Sequence, residues 1–417
     1  MAFPSGWTYK CPITIDYTKV PAATTNQPVL LTASNLPATL FTTCSTTGAD
    51  IMFASDSLGT TQYPRDIVSI NTTTSTIAVY VLIPSISNTA NTTFWIFWGN
   101  NTATEPGNGS ASQSTLVWSK WYGVVHFTNM TTAWKGVKDS SGQWNGMTVI
   151  GTLPTTQPTG HASGLVCFPE STTLGLTLHE YINFAGLTMD LMFWCNFNGT
   201  LTTGNLATGT NGIPFGWLRA VQFGVGWGCI SSTASVPASG WHLVTMSIVA
   251  GTGKVYIDGV DKTSGSSTSS AINFNNLGLG TTTSPAFYMS EFRMTRNNTL
   301  SVAQIKCMYA NESSPATFSS AGTVQTNPVT YTLTLTGLVI GSEVRIYNAG
   351  TTTQVAGIET STSTFSYTYT YTGDFKVDIH ILNLSYEWLM YTGYTLSSSN
   401  NTIPIQQIYD RNYNNPS

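Results

Sequence analysis

Apolar and polar residues alternate along this chain in short runs, and the runs predict strands. "ITIDYTKV", "PVLLTAS", "DIMFAS", "STIAVYVLIPSI" and "TTFWIFWGN" are rich in β-branched and aromatic residues, and Gly, Pro, Asn and Ser clusters separate them. Further along, "YTLTLTGL", "SEVRIYNA", "STFSYTYTYTG" and "DFKVDIHILN" alternate cleanly. In "FSYTYTYT" the side chains of Phe365, Tyr367, Tyr369 and Tyr371 fall on one face of a strand, with Ser and Thr on the other. That face is either one side of a sandwich core or an aromatic ladder for a ligand or neighbouring subunit. Helical spacing is scarce. Its best stretch is "LSVAQIKCMYANE", with Val302, Ile305 and Tyr309 on one side, Ser301 placed to cap the start and Pro315 to stop the run. The expected fold class is all-β, a series of tandem β-sandwich domains.

Breaks in the pattern divide the chain into three units. Residues 1–115 end in the polar stretch "GNNTATEPGNGSASQST", residues 116–323 run from "LVWSKWYGVVHF" to "SPATFSSAG", and residues 328–417 follow the short joint at Gln325–Pro328. At 417 residues the chain is long enough for several cores.

Composition narrows the function classes. Only 8% of residues are charged, against roughly 25% in ordinary soluble proteins, so Thr, Ser, Asn and Gly cover the surface. A net charge of −4 with 15 Lys and Arg offers no basic stripe for nucleic acid and no polybasic patch for a membrane. No apolar run is long enough to span a bilayer as a helix. Edge strands are normally guarded by charge. Their scarcity here points to an assembly in which partners cover strand edges, the other reading being a Thr-rich monomer kept soluble by hydroxyls and amides. Cys11, Cys44, Cys167, Cys195, Cys229 and Cys307 are widely spaced without metal-ligand spacing; the even count permits disulfides, but the apolar contexts of Cys195 and Cys229 suit buried free thiols, and reduced core cysteines are the expectation.

No catalytic pattern stands out. Asp139, Glu170, Glu180, Asp190, Asp258, Asp261 and Glu291 are isolated along the chain, whereas glycoside hydrolysis needs two converging carboxylates. His126, His161, His179, His242 and His380 lack a nucleophile elbow, and no glycine-rich phosphate loop precedes a helix. The expectation is a protein without enzymatic activity. Asp139 in "KDSSGQWNG" either caps its own turn or contributes to a calcium site, the only cofactor considered. Trp134 and Trp144 flank that loop, and Trp217 and Trp227 lie in "IPFGWLRAVQFGVGWGC". Each is either core or an aromatic platform for a sugar ring.

"GWTYKCPITID", "ADIMFASDSLGT" and "STIAVYVLIPSISNTANTTFWIFWGN", in that order, resemble a small β-domain of unknown function of the DUF2341 type. "VVHFTN", "KDSSGQWNGMTVIG", "ASGLVCF" and above all "GWHLVTMSIVAGTGKVYIDGVDKTSG" resemble a laminin-G/concanavalin A-like jelly roll, with "MSEFRMTRNNTLSVAQIKCMYANESSPATF" as its last strand and closing helix. The final unit is similar to small immunoglobulin-like or transthyretin-like sandwiches. This domain pair occurs in bacteriophage virion proteins and bacterial surface proteins. The opening "MAFPSGWTYKCPITID" has no secretion-signal pattern, which favours the phage setting: synthesis in the host cytoplasm and exposure on the released particle. The resemblance therefore implies a virion structural protein, a tail fibre or receptor-binding appendage with a carbohydrate-binding-like domain. Capsid decoration, a head fibre and a bacterial surface lectin or adhesin are the alternatives. Its implied partners are other virion proteins, further copies of itself as a homo-oligomer, and host surface glycans, with no nucleic acid and no membrane insertion.

Overall fold

The computed structural model describes residues 3–100, 102–103, 113–128, 137–144, 146–150, 161, 166–168, 175–183, 188–197, 204–208, 214–219, 222–225, 231–232, 240–249, 252–265, 273–277, 287–327, 329–371, 375–396 and 401–410. The fold is all-β, built from tandem β-sandwiches. The chain forms two compact units, Ala2–Gln325 and Thr326–Ser417.

The larger unit begins with two facing sheets. One has the strand order Ser319–Ala321, Tyr9–Ile15, Thr92–Trp98, Met52–Ala54, Gln62–Tyr63; the other runs Thr24–Thr32, Thr76–Ile86, Arg65–Asn71. Between them Ile13, Ile15, Val29, Leu31, Phe53, Val79, Val81, Phe94 and Trp98 form a dry core. Each such side chain contributes about 1.5–3 kcal/mol on burial. The three-stranded sheet is buried on its second face as well. Leu30, Ala78 and Tyr80 point away from the first core into another, where they meet Trp118, Trp121, Val124, Met192, Trp194, Leu243 and Met308. A strand buried on both faces needs a continuous apolar run rather than alternation, and "PVLL" and "IAVYV" supply it. The expected division near residue 115 therefore separates two sandwiches that share a core inside one unit, not two free bodies.

Past residue 116 two sheets follow. One is ordered Val166–Phe168, Phe287–Met294, Met189–Phe197, Trp241–Val249, Thr252–Ile257, Val260–Asp261, with Gly123–Val125 also paired to Phe287–Met294. The other is ordered Gln222–Val225, Pro214–Arg219, Gly204–Thr208, Asn273–Leu277, Gly175–Asn183, Met147–Ile150. In Met189–Phe197, Met192 and Trp194 face the shared core, and the alternating Leu191, Phe193 and Cys195 are buried too.

The helix Val302–Ser313 starts at a capping box: the Gln304 N–H donates to Ser301 Oγ at 3.2 Å and the Ser301 N–H to Gln304 Oε1 at 3.0 Å. Pro315 does not simply stop it; it opens a second short helix, Pro315–Phe318, where its missing N–H costs nothing. Asn311 clasps the edge strand Thr24–Thr32 at one residue, accepting from the Leu30 N–H at 2.7 Å and donating to the Leu30 carbonyl at 3.0 Å. The chain then adds Ser319–Ala321 beside Tyr9–Ile15, so residues after 300 complete the sandwich begun by the first fifteen. Cys11, Cys195 and Cys307 are buried free thiols and Cys44 a half-buried one.

The smaller unit has two sheets. One is Thr364–Tyr371, Val329–Thr336, Asn401–Pro404, the last pair parallel; the other is Gln354–Glu359, Glu343–Asn348, Phe375–Asn383, Tyr386–Leu396. Phe365, Tyr367 and Tyr369 pack with Leu333, Leu335, Val344, Ile346 and Ile379, so these three ladder residues face the sandwich core. Tyr386–Leu396 is an edge strand. Its first residues are covered by the tail, through the Glu387 N–H to the Ile408 carbonyl at 2.9 Å and the Asp410 N–H to the Ser385 carbonyl at 3.0 Å. Trp388 and Met390 on it are 70% and 61% exposed, and Leu384, Ile408 and Tyr409 are exposed as well. Glu387 is the one charged residue of that strand.

Candidate functional site

Among the described residues, the largest cluster of ionisable groups is buried where the two sandwiches of the larger unit meet. Asp66 and Tyr80 come from the three-stranded sheet, and Trp118 follows the short helix Gln113–Val117. His126 follows the strand Gly123–Val125, Glu291 and Arg293 lie on Phe287–Met294, and Glu312 is on the helix Val302–Ser313. His126 is held at both ring nitrogens, Nδ1 at 2.7 Å from Glu291 Oε2 and Nε2 at 3.1 Å from Asp66 Oδ2. A carboxylate can only accept, so both nitrogens carry protons and the ring is an imidazolium. Burial by itself would lower its pKa. The charge of Glu291 and the hydrogen bonds to Asp66 and Glu291 outweigh that and raise it to about 9.

Arg293 carries the network onward. Its Nη2 donates to Glu291 Oε2 at 2.8 Å and Tyr80 Oη at 2.7 Å, and its Nη1 to Glu312 Oε1 at 2.7 Å. Trp118 Nε1 donates to Asp66 Oδ2 at 2.7 Å, and Trp194 Nε1 to Glu312 Oε2 at 2.5 Å. Burial pushes the Glu312 carboxyl up, against the pull of Arg293. The side chains of Glu291, Arg293 and Glu312 are wholly shielded from solvent.

A β-bulge makes this arrangement possible. Phe193 pairs with Phe292 and Trp194 with Ser290, which leaves Glu291 as an extra residue. Its φ is +54°, left-handed for a residue with a Cβ, and Phe127 beside His126 is also left-handed at +55°. Such conformations cost on the order of 1 kcal/mol or more. Here they turn Glu291 toward His126. The network is a clamp: it joins the strands Arg65–Asn71, Thr76–Ile86, Met189–Phe197 and Phe287–Met294, the helix Val302–Ser313 and the stretch from Trp118 to His126. Among the described residues no three His, Cys, Asp or Glu side chains converge to hold a metal ion.

Two of the clamped segments continue into the walls of an open cleft of about 540 Å³, lined by Ser119, Lys120, Trp121, Tyr122, Gln143, Arg296, Asn297 and Asn298. The turn after Trp118 supplies one wall, tied by the Trp121 N–H to the Trp118 carbonyl at 2.8 Å and the Tyr122 N–H to the Met294 carbonyl at 2.8 Å. The turn after Met294 supplies another, locked by the Thr295 N–H to the Asp190 carbonyl at 2.9 Å, Thr295 Oγ1 to the Asn298 carbonyl at 2.6 Å and the Asn298 N–H to the Thr188 carbonyl at 3.2 Å. Asn297 takes a left-handed φ of +59° at its tip. The Arg296 guanidinium lies 4.9 Å above the centre of the Tyr122 ring, a stacking that orients its N–H edge. Lys120 and Arg296 are exposed, and no carboxylate lines the cleft among the described residues.

Asp139 builds the third wall. Its Oδ1 accepts the Val124 N–H at 2.7 Å and the Ser141 N–H at 3.0 Å, its Oδ2 accepts the Trp144 N–H at 3.0 Å, and the Ser141 hydroxyl lies 2.7 Å from Oδ2. That is the geometry of a turn cap, with both oxygens accepting from N–H or O–H donors. The cap presents Gln143, whose Nε2 donates to the Ser119 carbonyl at 3.2 Å.

Trp144 is the one proposed platform whose ring is described, and it requires a correction. The side chain is only 6% exposed, 6.4 Å from Phe292 between ring centres, so it backs the loop and presents no face to a sugar. Trp217 lies on the strand Pro214–Arg219, opposite Asn205 and Gly224, with its side chain outside the described residues. Trp134 and Trp227 lie outside them altogether. His242 bonds through Nδ1 to Asp258 Oδ2 at 2.7 Å and fastens the turn after Thr252–Ile257. Lys120, Tyr122, Gln143 and Arg296 were not singled out by the sequence. The signal present was weak: "WSKWYG" and "MTRNNT" place isolated cations next to aromatic or amide residues in a chain with few cations.

No protein-family model matches the sequence, and no curated protein matches it. Solved structures match in part. A Trypanosoma rangeli sialidase in complex with sialic acid is similar at 10% identity and a TM-score of 0.37, over 56% of this chain and 43% of that one. The ligand-binding domain of botulinum neurotoxin serotype D, in complex with N-acetylneuraminic acid, is similar at 10% identity and a TM-score of 0.33, over 65% and 73%. Domain 4 of a GH43 extracellular arabinanase from Geobacillus stearothermophilus, in complex with arabinotriose, is similar at 20% identity and a TM-score of 0.31, over 45% and 97%. This chain thus spans less than half the length of the sialidase it matches.

Proposed function

We propose that this protein is a non-enzymatic, glycan-binding structural subunit that works in an assembly on the outside of a particle. The observation that carries the reading is a division of labour among its polar groups. The clustered acids Asp66, Glu291 and Glu312 are consumed by a buried clamp. The open cleft, by contrast, offers cations, amides and the Tyr122 ring, with no carboxylate among its described lining residues. Glycosidic cleavage by the common two-acid route needs a pair of carboxyl groups at the substrate, whereas recognition needs donors and an aromatic surface.

Exposed Trp388 and Met390 on an edge strand with a single charge support the assembly role, since an unguarded apolar edge invites pairing. The setting we favour is a bacteriophage virion, as a tail fibre or receptor-binding appendage bound to other virion proteins and to its own copies. It rests on the resemblance of the first hundred or so residues. The same apolar edge also suits a capsid decoration or head-fibre protein. The test is to incubate the full chain with a panel of immobilised glycans and measure both retention and release of reducing sugar. Retention without release is expected. Release of reducing ends overturns the non-enzymatic part, and failure to retain any glycan overturns the binding part.

A further inference from the structure

We infer that the edge strand Tyr386–Leu396 of the smaller unit docks a second copy of this chain, the two strands pairing antiparallel about a two-fold axis at Met390. The inference deepens the assembly part of the reading above and rests on it.

The backbone sets where pairing can occur. Tyr386–Leu396 closes one side of its sheet, with Phe375–Asn383 as its neighbouring strand. The tail covers the other side as far as Glu387, whose N–H reaches the Ile408 carbonyl. From Trp388 onward no described strand lies along that side. Two bulges bound the open stretch. Ile381 pairs with Leu389 and Asn383 with Tyr386, which leaves Glu387 and Trp388 opposite Leu382 alone. Val377 pairs with Tyr394 and Ile379 with Tyr391, which leaves Thr392 and Gly393 opposite Asp378 alone. The second bulge is pinned: Gly393 has a φ of +62° and its N–H donates to Asp378 Oδ1 at 2.6 Å.

Bulges bend a strand and end regular pairing. These two stand equally far from Met390, so the stretch between them is symmetric about that residue. A second copy laid antiparallel there sets Met390 against the partner's Met390 and Trp388 against the partner's Thr392. Pairing stops at both bulges, and a contact that uses the same strand on both copies closes as a pair instead of growing into a fibre.

Side chains supply the driving force. Leu389 and Tyr391 pack on the sandwich core, so Trp388, Met390 and Thr392 alternate onto the outer face. Across the axis each Trp388 lies diagonal to the partner's Met390, within reach of an aromatic side chain, and a thioether packs well on an indole. Leu384, Trp388, Met390, Ile408 and Tyr409 are each more than half exposed. Together they offer on the order of 600 Å² per copy, roughly 1,200 Å² in a pair, which is where stable specific interfaces begin. Glu387, the one charged residue of the strand, falls at opposite ends of the two copies, so like charges do not meet.

The test uses the full chain carrying M390C or T392C, oxidised in air with copper phenanthroline and resolved on non-reducing gels. Sedimentation of the unoxidised chain runs alongside, with thermal unfolding as the check on folding. Directly opposed residues have Cβ atoms about 5 Å apart, whereas the two Thr392 positions of the pair stand about 14 Å apart. M390C should therefore form covalent dimers at least about tenfold faster than T392C or the wild type. Equal rates for M390C and T392C, or no dimer from M390C in a chain that sediments as an oligomer, overturn pairing at this edge and leave the assembly reading standing. A chain that sediments as a monomer at every concentration overturns the inference together with the self-association it rests on, and retention on immobilised glycans still decides the binding part separately.

Discussion

Replacing His126 with glutamine tests the buried clamp where it is most sensitive. The imidazolium faces Glu291 at 2.7 Å and Asp66 at 3.1 Å, and its pKa is raised to about 9 from 6.5. That difference, at 1.36 kcal/mol per pH decade, corresponds to about 3 kcal/mol of stability. The folded protein keeps this proton up to about pH 9, while the unfolded chain releases it near 6.5. The contribution is therefore whole below pH 6.5 and lost as pH rises through 9. Glutamine is neutral at every pH and cannot show this loss. Urea unfolding of both proteins, followed by tryptophan fluorescence at pH 6 and pH 9.5, reads the effect directly. H126Q should be markedly less stable than wild type at pH 6, because it leaves Asp66 and Glu291 without their shared cation. The gap should shrink by about 3 kcal/mol at pH 9.5. Buried thiols also weaken the fold in alkali, since burial pushes Cys11 and Cys44 up to about 11. That effect is common to both proteins and cancels in the difference. A wild-type-to-mutant gap that is the same at both pH values would refute the imidazolium and the clamp reasoning built on it.

Three further outcomes follow from the same geometry. Burial pushes the Asp190 carboxyl up to about 6, so the folded state holds its proton longer than the unfolded chain; stability should fall by about 3 kcal/mol as pH rises from 3.8 to 6 and then level off. D190N should remove that step and be at least as stable as wild type at pH 7, and a step that survives in the variant defeats the assignment. Asp139→Ala strands the N–H groups of Val124, Ser141 and Trp144, which should cost about 2–4 kcal/mol in urea unfolding; calcium or EDTA should leave the wild-type melting temperature unchanged, and a calcium-dependent rise would restore the metal reading. Exchanging Trp388 for serine and Met390 for threonine should weaken self-association at least about tenfold by sedimentation, with unchanged sedimentation as the contrary result.

How much of this was legible in the sequence depends on how far apart the partners lie. Local signals were readable. The alternation in "FSYTYTYT" put Phe365, Tyr367 and Tyr369 on one face, and the structure gives that face to the core. Ser301 caps the helix where its spacing predicted, because a cap involves only residues three apart. Asp139 in its Gly-containing loop caps a turn for the same reason. Trp144 was ambiguous for a physical cause: an indole beside a loop has the same sequence signature whether it turns inward or outward, and packing near Phe292 decides it.

The clamp and the cleft were hidden for a different reason. Glu291 is 165 residues from His126, Tyr80 is 213 from Arg293, and Trp194 is 118 from Glu312. Nothing local pairs them, and Glu291 reaches His126 only through a bulge that alternation counting steps over. One feature of the sequence did foreshadow them. "PVLL" and "IAVYV" are apolar without alternation, which requires cover on both faces of the first sandwich's inner sheet. Tyr80, within the second run, lies on that covered face and bonds Arg293. The same sharing of a core explains why the cleft stands at this junction. Trp118 and Arg293 are fixed in the clamp, so the chain leaving each of them, toward Lys120 and Tyr122 on one side and Arg296 on the other, emerges at a defined separation. A recognition surface built on loops is as rigid as the elements at their bases. Here those bases are held by buried charge, so the pH at which the clamp fails should also be the pH at which the cleft loses its shape.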